Sequence, residues 1–204
     1  MVETLSIIAA IINALSQVQY IVYLVRKKIV LNKVTWGISA VVMCLQASTY
    51  YEIVRSGNPW LASASIVVAV SFIFIFLYSF LRGRYAKLTV VDLISLFVGL
   101  VTILIWKGTG NPVIAHLFLQ SAIVVSFLPT IVGLLQGRLR EKPWPWFVGV
   151  ISYAFVICAV YLQSGVTNWV AFVYPVVVGV VINGFTGLLA MGQDTGYVKK
   201  PVDI

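Results

Sequence analysis

Seven apolar runs, each long enough to cross a bilayer as a helix, alternate with short polar or helix-breaking segments. They occupy residues 4–25, 34–54, 60–81, 89–106, 112–136, 145–163 and 169–191. The middle run, 89–106, carries one charge, Asp92, near its start. The separators are of two kinds. Some are basic, as in Arg26-Lys27-Lys28, Arg82-Gly83-Arg84 and Arg138 to Lys142; others are turn clusters, as in Ser56-Gly57-Asn58-Pro59, Gly110-Asn111-Pro112 and Ser164-Gly165. Asn111 followed by Pro112 reads as an N-cap and first helical position. Three spans lie on each side of the middle one. One odd central crossing returns the chain to its starting side, so both triplets point the same way. The pattern predicts an all-α integral membrane protein of seven transmembrane helices arranged 3+1+3, two parallel three-helix repeats joined by a linker helix. The units run 1–87, 88–110 and 111–193, with a cytoplasmic tail at 194–204.

Composition agrees with that pattern. Of 204 residues, 61% are hydrophobic and 10% charged, and mean hydropathy is +1.02. A soluble domain carries about 25% charge. The net charge of +8 does not imply nucleic-acid binding, because the basic residues lie between spans. Arg26, Lys27, Lys28, Lys33, Arg82, Arg84, Lys87, Arg138, Arg140, Lys142, Lys199 and Lys200 fall in one set of alternating loops, and only Arg55 and Lys107 in the other. The positive-inside rule then predicts a multi-pass protein of the plasma (inner) membrane, N-terminus outside and C-terminus cytoplasmic. The acidic start, Met1-Val2-Glu3, reads as a mature first helix rather than a signal peptide. Trp36, Trp60, Trp106, Trp144, Trp146 and Trp169 all fall at span ends, where an indole suits the membrane interface. Cys44 and Cys158 lie within spans and read as packing residues.

The two triplets share local sequence. Ser56-Gly57-Asn58-Pro59-Trp60 and Ser164-Gly165-Val166-Thr167-Asn168-Trp169 each open a third span, offset by 108 residues at Ser-Gly and 109 at Trp. Asn32-Lys33-Val34-Thr35-Trp36 pairs at a similar spacing with Glu141-Lys142-Pro143-Trp144-Pro145-Trp146. This organisation resembles the SWEET and PQ-loop (MtN3-like) transporters. Val18-Gln19 and Pro129-Thr130 each keep half of the Pro-Gln motif, and Pro145-Trp146-Phe147 resembles the opening of the sixth SWEET span. Thr35-Trp36, Trp106, Asn111-Pro112 and Pro129-Thr130 resemble seven-span bacterial SWEET-like proteins more closely still. The resemblance implies a solute site near the midplane, between the halves. It also implies hinges at Gln19, Pro129 and Pro145, a substrate amide at Asn183, and an outer tryptophan at Trp169. Phe74 stands where the first triplet's matching asparagine is expected.

Polar residues inside the spans supply the remaining candidates. Ser6, Asn13, Gln17 and Tyr20 form one stripe on the first span, and Ser39, Gln46 and Tyr50 another on the second. His116 and Gln120 are four apart on the fifth; Pro175, Gly179 and Asn183 follow the same spacing on the seventh. Asn183, Trp169, Asn13, Gln17, Gln46 and Gln120 are thus candidate substrate ligands, with Pro175 a further hinge. Interhelical hydrogen bonding competes as an explanation for each stripe. His116 reads as a structural histidine, and Asp92 and Glu52 as capping or interfacial partners. No metal-ligand spacing, phosphate loop or nucleophile triad is present, so no metal, cofactor or enzyme activity is expected. The function expected is a facilitative carrier of a small neutral polar solute such as a sugar, passive because no deep carboxylate is evident. The alternatives are a PQ-loop-type carrier of an amino acid, vitamin or other metabolite, or a seven-span receptor. A retinal protein is disfavoured because residues 168–191 lack lysine. Expected partners are the solute, the lipid bilayer and a second copy of the chain, with no nucleic acid.

Overall fold

The computed structural model describes residues 1–31, 33–82 and 90–198. Within them the chain is helical throughout: α1 (Val2–Val25), α2 (Lys33–Val54), a 3₁₀ turn (Pro59–Ala62), α3 (Ser63–Arg82), α4 (Val90–Thr109), α5 (Pro112–Leu135), α6 (Pro143–Ser164), α7 (Val170–Tyr174), a π-helical segment (Pro175–Ile182) and α8 (Asn183–Thr195). The last three form one continuous rod, Val170–Thr195. Among the described residues, five helices are long and apolar enough to cross a membrane: Val2–Val25, Pro59–Leu81, Pro112–Leu135, Pro143–Ser164 and Val170–Thr195.

Local chemistry sets the boundaries. The Asn111 carboxamide accepts from Val113 N (2.9 Å) and Ile114 N (3.3 Å), with Pro112 behind it, as the sequence predicts. Asn58 caps the 3₁₀ turn through Trp60 N at 3.0 Å. The α6 helix begins at Pro143, so Pro145 lies in its first turn. An amide hydrogen is surplus there, and Pro145 breaks no internal bond. Pro145 thus opens the helix, as the sequence places it, rather than interrupting it. Pro129 and Pro175 do lie inside helical rods.

The burial pattern is that of a membrane helix. On α1 the buried positions include Ser6, Asn13, Ser16 and Tyr20, while Ile8, Ile11, Leu15, Val18 and Val22 are exposed. A helix in water would reverse this arrangement.

Pair contacts fix helix directions. Along α1, Ala9, Ser16 and Tyr20 meet Ser152, Pro145 and Glu141 in turn, so α1 and α6 are antiparallel. Thr35, Ser39 and Gln46 of α2 meet Thr130, Ser126 and His116, so α2 and α5 are antiparallel. The α3 helix packs against both α1 and α2; the Val170–Thr195 rod packs against both α5 and α6. Among the described residues the α1 and α2 backbones lie apart, as do those of α5 and α6, and large side chains bridge them, Tyr20 to Trp36 and Phe127 to Trp146. Among the described residues the middle helix α4 packs against α5 and α2, and it exposes Leu93, Ile94, Phe97, Leu100 and Leu104.

The α1–α2 and α5–α6 loops meet at one end, where Val30 N donates to Arg140 O at 2.9 Å. Lys142 there bonds Asp194 of α8 at 2.9 and 3.0 Å, and Gln193 Nε2 donates to the Leu134 and Leu139 carbonyls. Arg26, Lys27, Lys28, Arg138, Arg140 and Lys142 make this the basic end. Arg84, Lys87, Lys199 and Lys200 lie outside the described residues, as does Thr89; the Asp92 side chain is not described either.

Candidate functional site

The polar stripe of α1 faces α6 and α8. Asn13 Nδ2 donates to Ser152 Oγ (3.2 Å), whose hydroxyl donates to the Ala9 carbonyl (2.8 Å). Ser16 Oγ donates to Pro145 O at 2.6 Å, and Gln17 Nε2 reaches Asn13 Oδ1 at 3.5 Å. Between this stripe and Asn183 lies a chamber of about 30 Å³ whose wall includes Asn13, Ser16, Gln17, Met43, Gly149 and Asn183. Gly149 permits the close approach, since a Cβ there would stand 2.9 Å from Asn183 Nδ2. The chamber thus draws walls from α1, α2 and α3 on one side and from α5, α6 and the Val170–Thr195 rod on the other and, at this size, holds about one water.

Aromatic layers close it on two sides. Toward the basic end Tyr20 packs on Trp36 (ring centroids 5.0 Å apart) and Trp146 (5.8 Å), Phe127 on Trp146 (5.9 Å) and Trp36 on Phe72 (4.7 Å). Each such pair contributes about 0.5–1.5 kcal/mol beyond its buried area. Toward the opposite end Tyr153 and Tyr174 hydroxyls lie 2.6 Å apart, and Tyr174 Oη donates to Met43 Sδ at 3.8 Å. The Tyr153 ring sits directly on Gly179, where any Cβ would overlap it. Pro175 lacks the amide hydrogen that would bond the Ala171 carbonyl four residues back. Tyr50 Oη takes that carbonyl instead, at 3.2 Å. The rod then widens into its π segment, a feature common at functional sites.

A second polar cluster lies on the α2–α5 seam. His116 is fully buried, 2.9 Å from Gln46 Nε2, 3.3 Å from Gln120 Nε2 and 3.4 Å from Thr49 Oγ1, and stacked on Tyr50. Among the described residues the buried amide oxygens of Gln46 and Gln120 have no hydrogen-bond partner. Lower on the seam Ser39 and Ser126 hydroxyls lie 3.0 Å apart, and Thr130 Oγ1 donates to Thr35 Oγ1 at 3.2 Å.

One carboxyl group is buried where the sequence suggested none. Glu141, in the loop between α5 and α6, is 1% exposed. Its Oε1 accepts from Tyr20 Oη at 2.7 Å; its Oε2 and the nearby Trp146 Nε1 have no bond of good geometry. Burial pushes the carboxyl from its ordinary 4.5 up to about 8, with the Tyr20 and Trp146 donors pulling weakly downward. Glu141 lies in a loop at the basic end rather than within a span, and it adds a buried carboxyl that the expectation of passive transport did not weigh.

The sequence candidates divide into groups. Asn13, Gln17 and Asn183 share the chamber wall. Gln46 and Gln120 bind His116 on the seam instead, so the stripe of α2 joins helices while that of α1 both bonds α6 and lines a space. Trp169 is 57% exposed and takes no part in the chamber wall. Trp36 and Trp146, read as interface residues, are buried against Tyr20, whereas Trp60 and Trp144 are exposed. Phe74 points outward and stacks on Tyr78. Gln19 is half-buried outside the chamber wall, Pro129 is buried in α5, and Pro175 opens the π segment. Ser16, Tyr153 and Glu141 were missed. Ser16 lies on the α1 stripe, one position before Gln17, and that spacing could have revealed it; nothing in the spacing marks Glu141.

A wider groove of about 1020 Å³ lies between α2–α3 and the facing ends of α4 and α5. Its exposed Ile66, Val70 and Ile73 mark it as a lipid-facing crevice. No protein-family model, curated protein or solved structure matches the chain.

Proposed function

We propose that the chain is a seven-span membrane carrier for a small neutral polar solute, a sugar being the class that fits best, working by alternating access between two parallel helix triplets. The observation that carries this reading is the polar chamber walled by both triplets and closed by aromatic layers toward both ends. Helix directions support the parallel repeat: α1 and α5 run one way, α2 and α6 the other. The packing has the matching exchange, α1 on α6 and α5 on α2, with the third helix of each triplet between its first two. Helices α2 and α4 complete the seven spans, and the basic end faces the cytoplasm by the positive-inside rule. The resemblance to SWEET transporters is consistent with this arrangement.

The wall offers amides and hydroxyls with no formal charge, beside the rings of Trp36 and Trp146. Amides bond hydroxyl groups and indoles stack on the apolar face of a sugar ring. A chamber of about 30 Å³ cannot hold a sugar, so the shape seen is an occluded one and the triplets must part to admit solute. Uptake of labelled sugars into proteoliposomes tests the proposal. Background uptake in both orientations, with and without a pH gradient, would count against it. Asn183→Ala should weaken binding. Pro129→Ala should slow exchange while sparing affinity.

The buried carboxyl of Glu141 favours a second reading, a PQ-loop-type carrier of an amino acid or vitamin. A ligand-dependent thermal shift across metabolite classes separates the two, because a binder stabilises by mass action.

A further inference from the structure

We infer that Glu141 is a proton-binding site built into the closure of the basic end, linked to the chamber through the Tyr20 hydroxyl. It holds a proton while that end is shut and releases it when the end opens. The link to solute movement rests on the carrier reading; the proton site and its link to opening do not.

Four observations carry the inference. Glu141 is 1% exposed although it lies in a loop. Among the described residues its bonded partner is neutral Tyr20, at 2.7 Å, and Tyr20 also forms part of the chamber wall. Its second oxygen has no hydrogen-bond partner among the described residues. The two loops that would separate on opening are joined next to it, where Val30 N donates to Arg140 O.

Among the described residues nothing nearby balances a negative charge. Tyr20 faces the carboxyl from α1 and Trp146 from α6, while Trp36 of α2 packs behind Tyr20. In its own loop Arg140 is exposed, and Lys142 is held by Asp194 of α8. Arg26, Lys27 and Lys28 of the opposite loop are exposed. Among the described residues no cation pairs with Glu141. An ionised carboxylate here lacks both water and a counter-charge, so the shut form favours the acid. On opening, water reaches the carboxyl, which then ionises, and the proton leaves to the basic side. A hydroxyl both donates and accepts, so Tyr20 can pass a proton between a wetted chamber and Glu141 without any net change in itself.

The first test needs no solute. Infrared titration of the purified full-length protein should show the carbonyl stretch of one protonated carboxyl disappearing with a midpoint near about 8. The band should be missing in Glu141→Gln. In Tyr20→Phe, which keeps the carboxyl but removes the donor that favours its ionised form, the midpoint should rise. A protein with no carboxyl titrating above about pH 6, or a band that survives in Glu141→Gln, overturns the site.

The second test reads opening. In a Cys44→Ser, Cys158→Ser background, Ser16→Cys places a thiol on the chamber wall. Its labelling by a membrane-impermeant maleimide from the basic side is compared with and without Glu141→Gln at each pH, and the ratio cancels thiol ionisation. The ratio should climb toward roughly tenfold per pH unit until about 8. A ratio independent of pH overturns the link to opening. If both tests succeed and no solute is carried in proteoliposomes, the carrier reading fails while the proton site stands.

Discussion

Raising the pH should destabilise the closed protein, through Glu141. The unfolded carboxyl titrates near 4.5 and the folded one near about 8. Below 4.5 both states hold the proton, and its contribution to stability is fully present. Between the two values the folded state keeps a proton that the unfolded state has lost, so stability falls as pH rises. Above about 8 both are ionised and the fold carries the whole penalty of a buried charge. At about 1.4 kcal/mol per pH unit the gap amounts to roughly 5 kcal/mol. That is a ceiling, because opening the basic end would wet the carboxyl for less than the cost of global unfolding. Thermal unfolding in detergent from about pH 5 to pH 9 should therefore show a falling midpoint that levels off. Glu141→Gln, with a neutral amide of similar shape, should be flatter and should exceed the wild type at the alkaline end. A wild-type midpoint that rises across this window, or the same decline in Glu141→Gln, would refute the reasoning.

Packing supplies further expectations. Gly179→Ala drives a methyl into the Tyr153 ring and should cost about 1–3 kcal/mol, read as a lower unfolding midpoint. Gly184→Ala is its control: the nearest atom, Val150 Cγ2, is 3.9 Å away, so the midpoint should hardly move. Ser152→Ala removes both of its α1–α6 bonds and strands the Asn13 amide; at about 0.6–2 kcal/mol per interhelical bond it should weaken the seam measurably in the same assay. Gly149→Ala pushes on the Asn183 amide at 2.9 Å, which can yield, so stability should change little while binding of a solute probe, read by isothermal titration, falls.

The helical architecture was legible in the sequence because a bilayer demands long apolar runs and turn residues cut them cleanly. Asn111-Pro112 and Ser56 to Pro59 mark real helix starts for reasons visible in two or three residues. The α1 stripe was legible as a stripe, since Asn13, Gln17 and Tyr20 share a face by spacing alone. Spacing does not say what lies opposite that face. On α2 the same kind of stripe meets His116 and Ser126 and becomes a seam; on α1 it meets Gly149 and Asn183 and leaves a space. Two of the tryptophans, Trp36 and Trp146, depart from the interface reading for a related reason. Trp144 and Trp146 both lie at a span end, but two residues apart on a helix they point to different sides, one outward and one onto Tyr20. Glu141 was hidden most deeply. In the sequence it belongs to a basic loop, and its burial depends on Tyr20, 121 positions away.

The two ends of the chamber are closed by different chemistry, which bears on how each could open. Away from the basic end the closure is phenolic: Tyr153 and Tyr174 share a neutral hydrogen bond, Tyr50 packs on Tyr174 and donates to the Ala171 carbonyl, and all three lean on a rod already interrupted by Pro175. Breaking the Tyr50 bond to the Ala171 carbonyl frees a helix that has lost one internal bond at that point, so bending there is local. At the basic end the indoles lie on unbroken helix starts, since Pro145 falls in the first turn of α6 and interrupts nothing. Motion there must come from parting the loops at Val30 and Arg140, and that exposes Glu141. One end therefore yields by bending and the other by hydration of an acid, and only the second should respond to pH. The contrast is checked by labelling a thiol at Met43, beside Tyr174, from the opposite side of the membrane. Relative to the same thiol in Glu141→Gln, its rate should not follow the pH dependence expected at Ser16→Cys. A matching dependence would mean that the two ends open as one unit, and the separation drawn between them would fail.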